Sequence, residues 1–356
     1  MNAAPPDGYA GLRFPWEAPP AEGEAIEVAE GVLWARMPLP MALDHVNVYF
    51  LHEPAADGGG WTMVDTGFDT RRSRAILDAL IAGPLSGGPI VRILATHHHP
   101  DHVGLAGHLQ ARGAELLTSR TAWLLARMLT LDEQPVPTPE TLAFCRRYGM
   151  DPDILARRAT ERPFNFADIV APMPVGYARL QDGQTVELGG RRWTVRFGDG
   201  HAPDHVCLFE DGGDLVIGGD QLLPGISPNL GLYPTEPDGD PVGDWLAACD
   251  RLAAHARDPQ LVLPGHKMPY RGLPTRLRSL RANHVHALDR LEAYLDVPRV
   301  GGDCFVPLFG REIEGDAYGL AFFEAAAHLN HLHRAGRARR TDRGDGVWLW
   351  QSGAAA

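Results

Sequence analysis

The stretch Pro89-Ile90-Val91-Arg92-Ile93-Leu94-Ala95-Thr96-His97-His98-His99-Pro100-Asp101-His102 decides how the rest of the chain is read. An apolar, β-branched run breaks abruptly into metal-ligand residue types, which reads as a buried strand ending in a site. Alternate strand residues face the same way, so His97 and His99 are expected to point together into one pocket. Asp101 and His102 follow where the chain turns and approach from a second side. Two sets of ligand types at one strand end suit two adjacent metals better than one. Read alone, the run is a histidine-rich polar loop; four ligand residues at this spacing argue against that.

The pattern His-x-His-x-Asp-His resembles the second motif of the metallo-β-lactamase superfamily, and the rest of the chain carries the family's other motifs in order. Asp65-Thr66-Gly67 resembles the first. There the resemblance implies that Asp65 is not a ligand but holds ligands through hydrogen bonds. Gly200-His201-Ala202-Pro203-Asp204-His205 resembles the third, with His201 as ligand; His205 is a supporting or core residue. Asp220, after Gly218-Gly219, matches the bridging aspartate of glyoxalase II-like, lactonase-like and ribonuclease Z-like members. The common zinc β-lactamases have cysteine there, which counts against β-lactamase activity. Pro264-Gly265-His266 resembles the last motif. The similarity covers roughly residues 25–270.

The resemblance implies two metals per chain. His97, His99 and His201 would hold the first, and Asp101, His102 and His266 the second, with Asp220 between them. All donors are nitrogen or oxygen, which suits Zn2+, with iron or manganese as alternatives. Histidine at position 99, where oxygen-reducing di-iron relatives have glutamate, favours hydrolysis. The implied chemistry is attack of a bridging hydroxide on the carbonyl carbon of a small ester, thioester or lactone. Asp101 is the candidate catalytic residue, orienting the nucleophile or shuttling a proton. Tyr233, in a Pro- and Gly-rich loop after Asp220, is a candidate to hydrogen-bond substrate, with packing an equal alternative.

The implied fold is α/β, a four-layer αββα sandwich over residues 25–275, preceded by an extended arm over 1–24. Strand patterns fall at 26–28, 32–36, 46–51 and 61–64, the last two joined by a turn at Gly58-Gly59-Gly60. Helical spacing is predicted over Arg72–Ile81 and over Val103–Arg112. The second of these helices is expected to aim its positive N-terminal end at the metals or a bound anion. A helical insertion is expected at about 120–175, as a substrate cover or as a packed segment. Residues 276–356 read as a small helical, winged-helix-like module. Arg334, Arg337, Arg339, Arg340 and Arg343 make its end locally basic.

Composition sets the outer bounds. The chain has 356 residues, 44% hydrophobic and 22% charged, with net charge −12, which is ordinary for a globular protein and argues against a nucleic-acid surface. Cys145, Cys207, Cys249 and Cys304 form no Cys-x-x-Cys pair, so neither a zinc knuckle nor a redox pair is indicated. The first twenty residues lack a basic start and apolar core, and no apolar run approaches the ~20 residues of a membrane span. A cytoplasmic enzyme acting on a small molecule is the expectation, with a homodimer left open. The alternative reading is a phosphodiesterase or endoribonuclease that binds RNA through the C-terminal module; a non-enzymatic metal-binding protein is the third.

Overall fold

The structure, a computed structural model, describes residues 10–54 and 59–353. Residues 1–9 of the expected arm and Gly58 of the expected turn lie outside the described residues. The chain forms two compact units.

The first unit comprises the described residues of Met1–Glu133, Asn165–Ser227 and Leu252–Leu277. It holds two sheets. Seven strands make the first, in chain order across the sheet: β1 (Ile26–Ala29), β2 (Val32–Pro38), β3 (His45–His52), β4 (Trp61–Val64), β5 (Ile90–Leu94), β6 (Glu115–Ser119) and β7 (Ala178–Leu180). It starts antiparallel and becomes parallel from β4 onward. The second sheet contains β8 (Thr185–Leu188), β9 (Arg191–Gly198), β10 (His205–Glu210), β11 (Leu215–Gly219), β12 (Leu261–Pro264) and β13 (Tyr270–Arg271). Its order is β13-β12-β11-β10-β9-β8.

The period-two alternation of the strands sorts their side chains between two cores. Val32 and Trp34 of β2, Tyr49 and Leu51 of β3, and Val64 and Leu94 pack with Trp193, Val195, Val206, Leu208, Ile217 and Leu263 of the second sheet. The intervening residues Ala35, Met37, Val46, Val48, Phe50, Met63 and Ile93 face a helical layer. That layer includes α1 (Arg71–Ala82), α2 (Pro100–Val103), α3 (Ala106–Gln110) and α4 (Arg120–Leu131). In α1, Thr70 caps the first turn by accepting the Ser73 N–H, and Ile76, Leu77 and Leu80 form the buried stripe.

The predicted single helix over Val103–Arg112 is corrected to two short pieces, α2 and α3, and the first already begins at Pro100. The Asp65–Phe68 loop takes over the hydrogen bonds that would continue the helix. The Gly67 N–H donates to Asp101 O, and the Leu105 N–H goes to the Thr66 hydroxyl, which itself donates to His102 O. At Gly104 the loop is so close that a Cβ would collide with the Gly67 carbonyl oxygen. Among the described residues, the segment after the motif therefore forms no long helix that aims its N-terminal end at the site.

The described part of the arm is not free. Arg13 pairs with Arg271 as an isolated bridge, and Trp16 packs edge-on to Trp34 at 6.3 Å.

The second unit comprises the described residues of Gln134–Phe164, Pro228–Arg251 and Arg278–Ala356. The expected insertion is thus divided between the units. The second unit contains α5 (Pro139–Arg147) and α6 (Pro152–Arg158), most of α7 (Pro241–Ala253) and of α8 (Leu273–Tyr294), α9 (Phe305–Phe309) and α10 (Tyr318–Arg334). After α10 comes the hairpin β14 (Ala338–Asp342) and β15 (Trp348–Ser352). Proline at the first helical position follows a capping side chain in both α5 and α6: Thr138 accepts from Thr141 N–H, and Asp151 from Asp153 and Ile154. Aromatic contacts fill the unit: Tyr148 stacks with Trp350 at 5.6 Å, and Phe305 meets Tyr318 edge-on at 5.2 Å.

Candidate metal centre

Parallel strands deliver side chains to one end of their sheet. Asp65 follows β4, the histidine run follows β5, Asp220 follows β11 and His266 follows β12, each at the carboxyl end of a parallel strand. Two backbone bonds tie the sheets together at this rim: Val206 N–H to Thr96 O at 2.7 Å, and Asn47 N–H to Gly265 O at 2.6 Å.

The seven expected ligand residues meet here. His97 Nε2 lies 2.9 Å from His99 Nδ1, which lies 3.0 Å from His201 Nε2. A tetrahedral centre with metal–nitrogen bonds of about 2.0–2.1 Å spaces its nitrogens by about 3.3 Å, so this trio has the dimensions of a ligand set. Asp101, His102 and His266 form a second group; each offers a ligand atom within 4.8 Å of the others. Asp101 Oδ2 is 3.4 Å from His266 Nε2 and 3.5 Å from His102 Nε2. Asp220 reaches both groups: Oδ2 is 3.5 Å from His201 Nε2 and 3.2 Å from His266 Nε2, and Oδ1 is 3.5 Å from His102 Nε2.

One expectation about how the trio converges is corrected. β5 ends at Leu94, so His97 and His99 lie on a bend and not on alternate positions of a strand. Their nitrogens approach because the chain folds back before α2.

Surrounding hydrogen bonds hold the ligands. Asp65 accepts from Thr96 N–H at 2.8 Å and from the Thr96 hydroxyl at 3.0 Å, and its Oδ2 accepts from His102 Nδ1–H at 2.8 Å. This leaves His102 Nε2 facing the site. His266 Nδ1 donates to His45 O at 2.7 Å, which likewise turns Nε2 inward. His205 Nε2 accepts the Asp220 N–H at 3.1 Å, and its ring stacks on His97 at 4.7 Å. Gly265 leaves room for Asp220: a Cβ there would collide with Asp220 Oδ1.

His102 Nε2 and Asp220 Oδ1 are buried and make no hydrogen bond among the described residues. Buried polar atoms are almost always bonded, so two such atoms facing each other at 3.5 Å fit a cation as their partner. The electrostatics agree. Burial, aided by neighbouring rings, holds His97 and His99 well below the ordinary imidazole range. Burial also opposes charge on His102, but Asp101, Asp220 and Asp65 outweigh it and hold that ring well above its ordinary value. Burial acts the same way on His266, where Asp220 and Asp101 prevail and carry it up to about 10. For Asp101 and Asp220 burial favours the neutral acid, but His102 and His266 keep both below the ordinary carboxylate range. A field that draws protons to His102 and His266 also draws a divalent cation.

Several supporting residues escaped the sequence reading. Thr96 and Thr66 link Asp65 and α2. Asn47 Nδ2 donates to Pro264 O and Lys267 O, and the Tyr49 hydroxyl donates to Pro264 O, fixing the segment that carries His266. A polar Asn inside the apolar strand Val46-Asn47-Val48 was the available signal, since a buried amide needs partners. Tyr233 falls in the second unit, where its ring packs on Phe323 at 5.1 Å and the residue stays 38% exposed. The basic C-terminal residues are engaged within that unit. Arg337 binds Asp289 and Glu292, Arg340 lies 3.7 Å over Trp348, Arg343 pairs with Asp345, Arg339 meets Gln351 and Arg334 donates to Asp238 O.

Known proteins share both the sequence and the architecture. Residues 288–353 match the metallo-β-lactamase-like C-terminal domain. A probable metallo-hydrolase of Bacillus subtilis (strain 168), YqjP, is 25% identical over 85% of this chain and 92% of its own. The acyl-coenzyme A thioesterase MBLAC2 of Gallus gallus is 25% identical over 72% of this chain and 84% of its own. The crystal structure of a β-lactamase domain protein from Burkholderia ambifaria superposes with a TM-score of 0.86 at 33% identity, covering 96% of this chain and 97% of the other. Residues 41–302 match the metallo-β-lactamase superfamily along most of the chain, and with the fold in agreement the protein belongs to that superfamily.

Proposed function

We propose that this metallo-hydrolase cleaves a small ester, thioester or lactone at a centre of two divalent cations, Zn2+ in the first instance. His97, His99 and His201 hold one cation, Asp101, His102 and His266 the other, and Asp220 lies between them. The observation that carries this reading is Asp220, whose carboxylate is within 3.5 Å of ring nitrogens from both groups. The similarity to a named thioesterase supports the acyl substrate class.

Bound divalent cations lower the pKa of water and polarise a carbonyl oxygen, which supplies nucleophile and electrophile without a serine or cysteine. The chain's residues do the rest. Asp65 locks the His102 tautomer. Asp101, a site carboxylate still partly open to solvent, orients the attacking water, accepts its proton and returns it to the departing thiolate or alkoxide. The arginines of the C-terminal hairpin are already paired or stacked, which supports a small-molecule substrate over RNA.

The test is elemental analysis with a turnover panel on wild type and His102→Ala. The panel contains a thioester, an N-acyl-homoserine lactone, a cephalosporin reporter and a short RNA. Wild type is expected to hold two metal equivalents at this centre and turn over the thioester or lactone, with His102→Ala losing one equivalent and most activity. Full turnover in His102→Ala at an unchanged metal count, or activity confined to RNA, would overturn the reading.

A further inference from the structure

We propose that the second unit binds a divalent metal of its own, zinc by its donor set, through His284 of α8 and Glu324 and His328 of α10. The site is separate from the seven residues of the first unit and does not depend on the hydrolase reading.

Glu324 and His328 are four apart on α10, so they share a helix face one turn from each other. His284 comes to them from α8. One ligand atom from each of the three lies within 4.8 Å of the other two. His284 Nδ1 and His328 Nε2 are 3.3 Å apart, with ring centroids at 5.5 Å. That separation is long for a direct hydrogen bond between the rings, and it equals the spacing of about 3.3 Å between two nitrogens on a tetrahedral metal.

The tautomer of His328 is set by a backbone group. Its Nδ1 is 2.8 Å from the Glu324 carbonyl oxygen, which can only accept. Nδ1 therefore carries the hydrogen, and Nε2 presents its lone pair to His284 and Glu324. A ring nitrogen donating to a backbone carbonyl is the usual way a ligating histidine is oriented. Glu324 Oε2 is steadied by Asn229 Nδ2 at 2.8 Å.

His284 and His328 are buried while Glu324 is partly open, which gives an ion an entrance. Two imidazoles and a carboxylate suit zinc and leave a fourth position for water. Beside the trio, the fully buried Trp245 has its ring 5.9 Å from His284, and its indole N–H makes no hydrogen bond among the described residues. It is a donor of the kind such a water would use. An ion here would join α8 to α10 and stiffen the unit.

The experiment isolates the trio in the full chain. A His97→Ala, His102→Ala, Asp220→Ala background is stripped with chelator, equilibrated with zinc or cobalt(II), desalted and analysed for metal. The background is expected to retain one zinc equivalent, show the visible bands of four-coordinate cobalt(II), and melt at a higher temperature with zinc than without. Adding Glu324→Gln is expected to abolish all three. A folded background without zinc, or an unchanged count after Glu324→Gln, overturns the proposal. Should the background not fold, wild type is compared with Glu324→Gln: one equivalent fewer supports the site, and equal counts overturn it.

Discussion

At the rim of the first unit, His102 Nε2 and Asp220 Oδ1 are buried and make no hydrogen bond among the described residues. In the second unit, the charged groups of Arg337 and Asp240 are satisfied by the chain itself: Arg337 by Glu292 and Asp289, Asp240 by His331 and the Gly243 N–H. The contrast separates two uses of buried or half-buried charge. Where the chain completes its own pairs, ionisable side chains hold helices and loops together. Where it converges ligand atoms and leaves them incomplete, they await a partner from solution. Substitutions at the rim should therefore act on metal and turnover, and those at the completed pairs on stability.

The largest effect should come from Asp220→Ala. Losing the carboxylate between the two groups is expected to lower turnover about a thousandfold, the several kcal/mol that metal polarisation supplies. Circular dichroism should stay that of the wild type. A loss of stability with turnover retained would break the comparison at its centre.

Asp65→Asn should be milder. The amide still accepts from Thr96 but no longer presents a charged oxygen to His102 Nδ1. Weakening the hydrogen bond behind a ligand costs about 10–100-fold in metal affinity. Competition with a chromophoric chelator reads this directly, and unchanged affinity would show that Asp65 serves folding alone.

The smallest effect belongs to the second unit. Burial works against the charge of Asp240, but the His331 ring and the Gly243 N–H prevail and keep its pKa below the ordinary carboxylate value. A lowered carboxyl pKa contributes stability above the unfolded value, near pH 4, and that stability is lost as pH falls through the folded value. Asp240→Asn should thus destabilise by about 1–2 kcal/mol at pH 7, as expected for a hydrogen-bonded charge, and by less at pH 3. Urea midpoints at the two pH values check this. A difference undiminished at pH 3, or a fall in turnover at pH 7, would remove Asp240 from the completed pairs.

Residues from His97 to His102 were legible as a metal centre because all six are ligand types or the proline that turns the chain. The strands were legible because alternation and turn residues mark them locally. The histidine–glutamate trio of the second unit was not. His284 stands among Leu277, Leu280, Leu288 and Leu291 at helical spacing, and nothing local links it to Glu324 and His328, which are 40 and 44 residues further on. Thr66 was quoted within its motif, but its hydroxyl interrupts a helix 36 residues away, a contact that no local pattern encodes.

Ligand types, their order and the sheet grammar are properties of short windows, and the sequence by itself determined them. Tertiary structure alone decided that Asp220 reaches both groups and that the helix after the motif breaks at Gly104. It also decided that the described part of the arm bridges to Arg271 and that the C-terminal arginines are already engaged. The physical reason is range. Alternation, capping and turn propensity act over a few residues, while these contacts join segments brought together by two packed sheets and, in the second unit, by helices folded on one another.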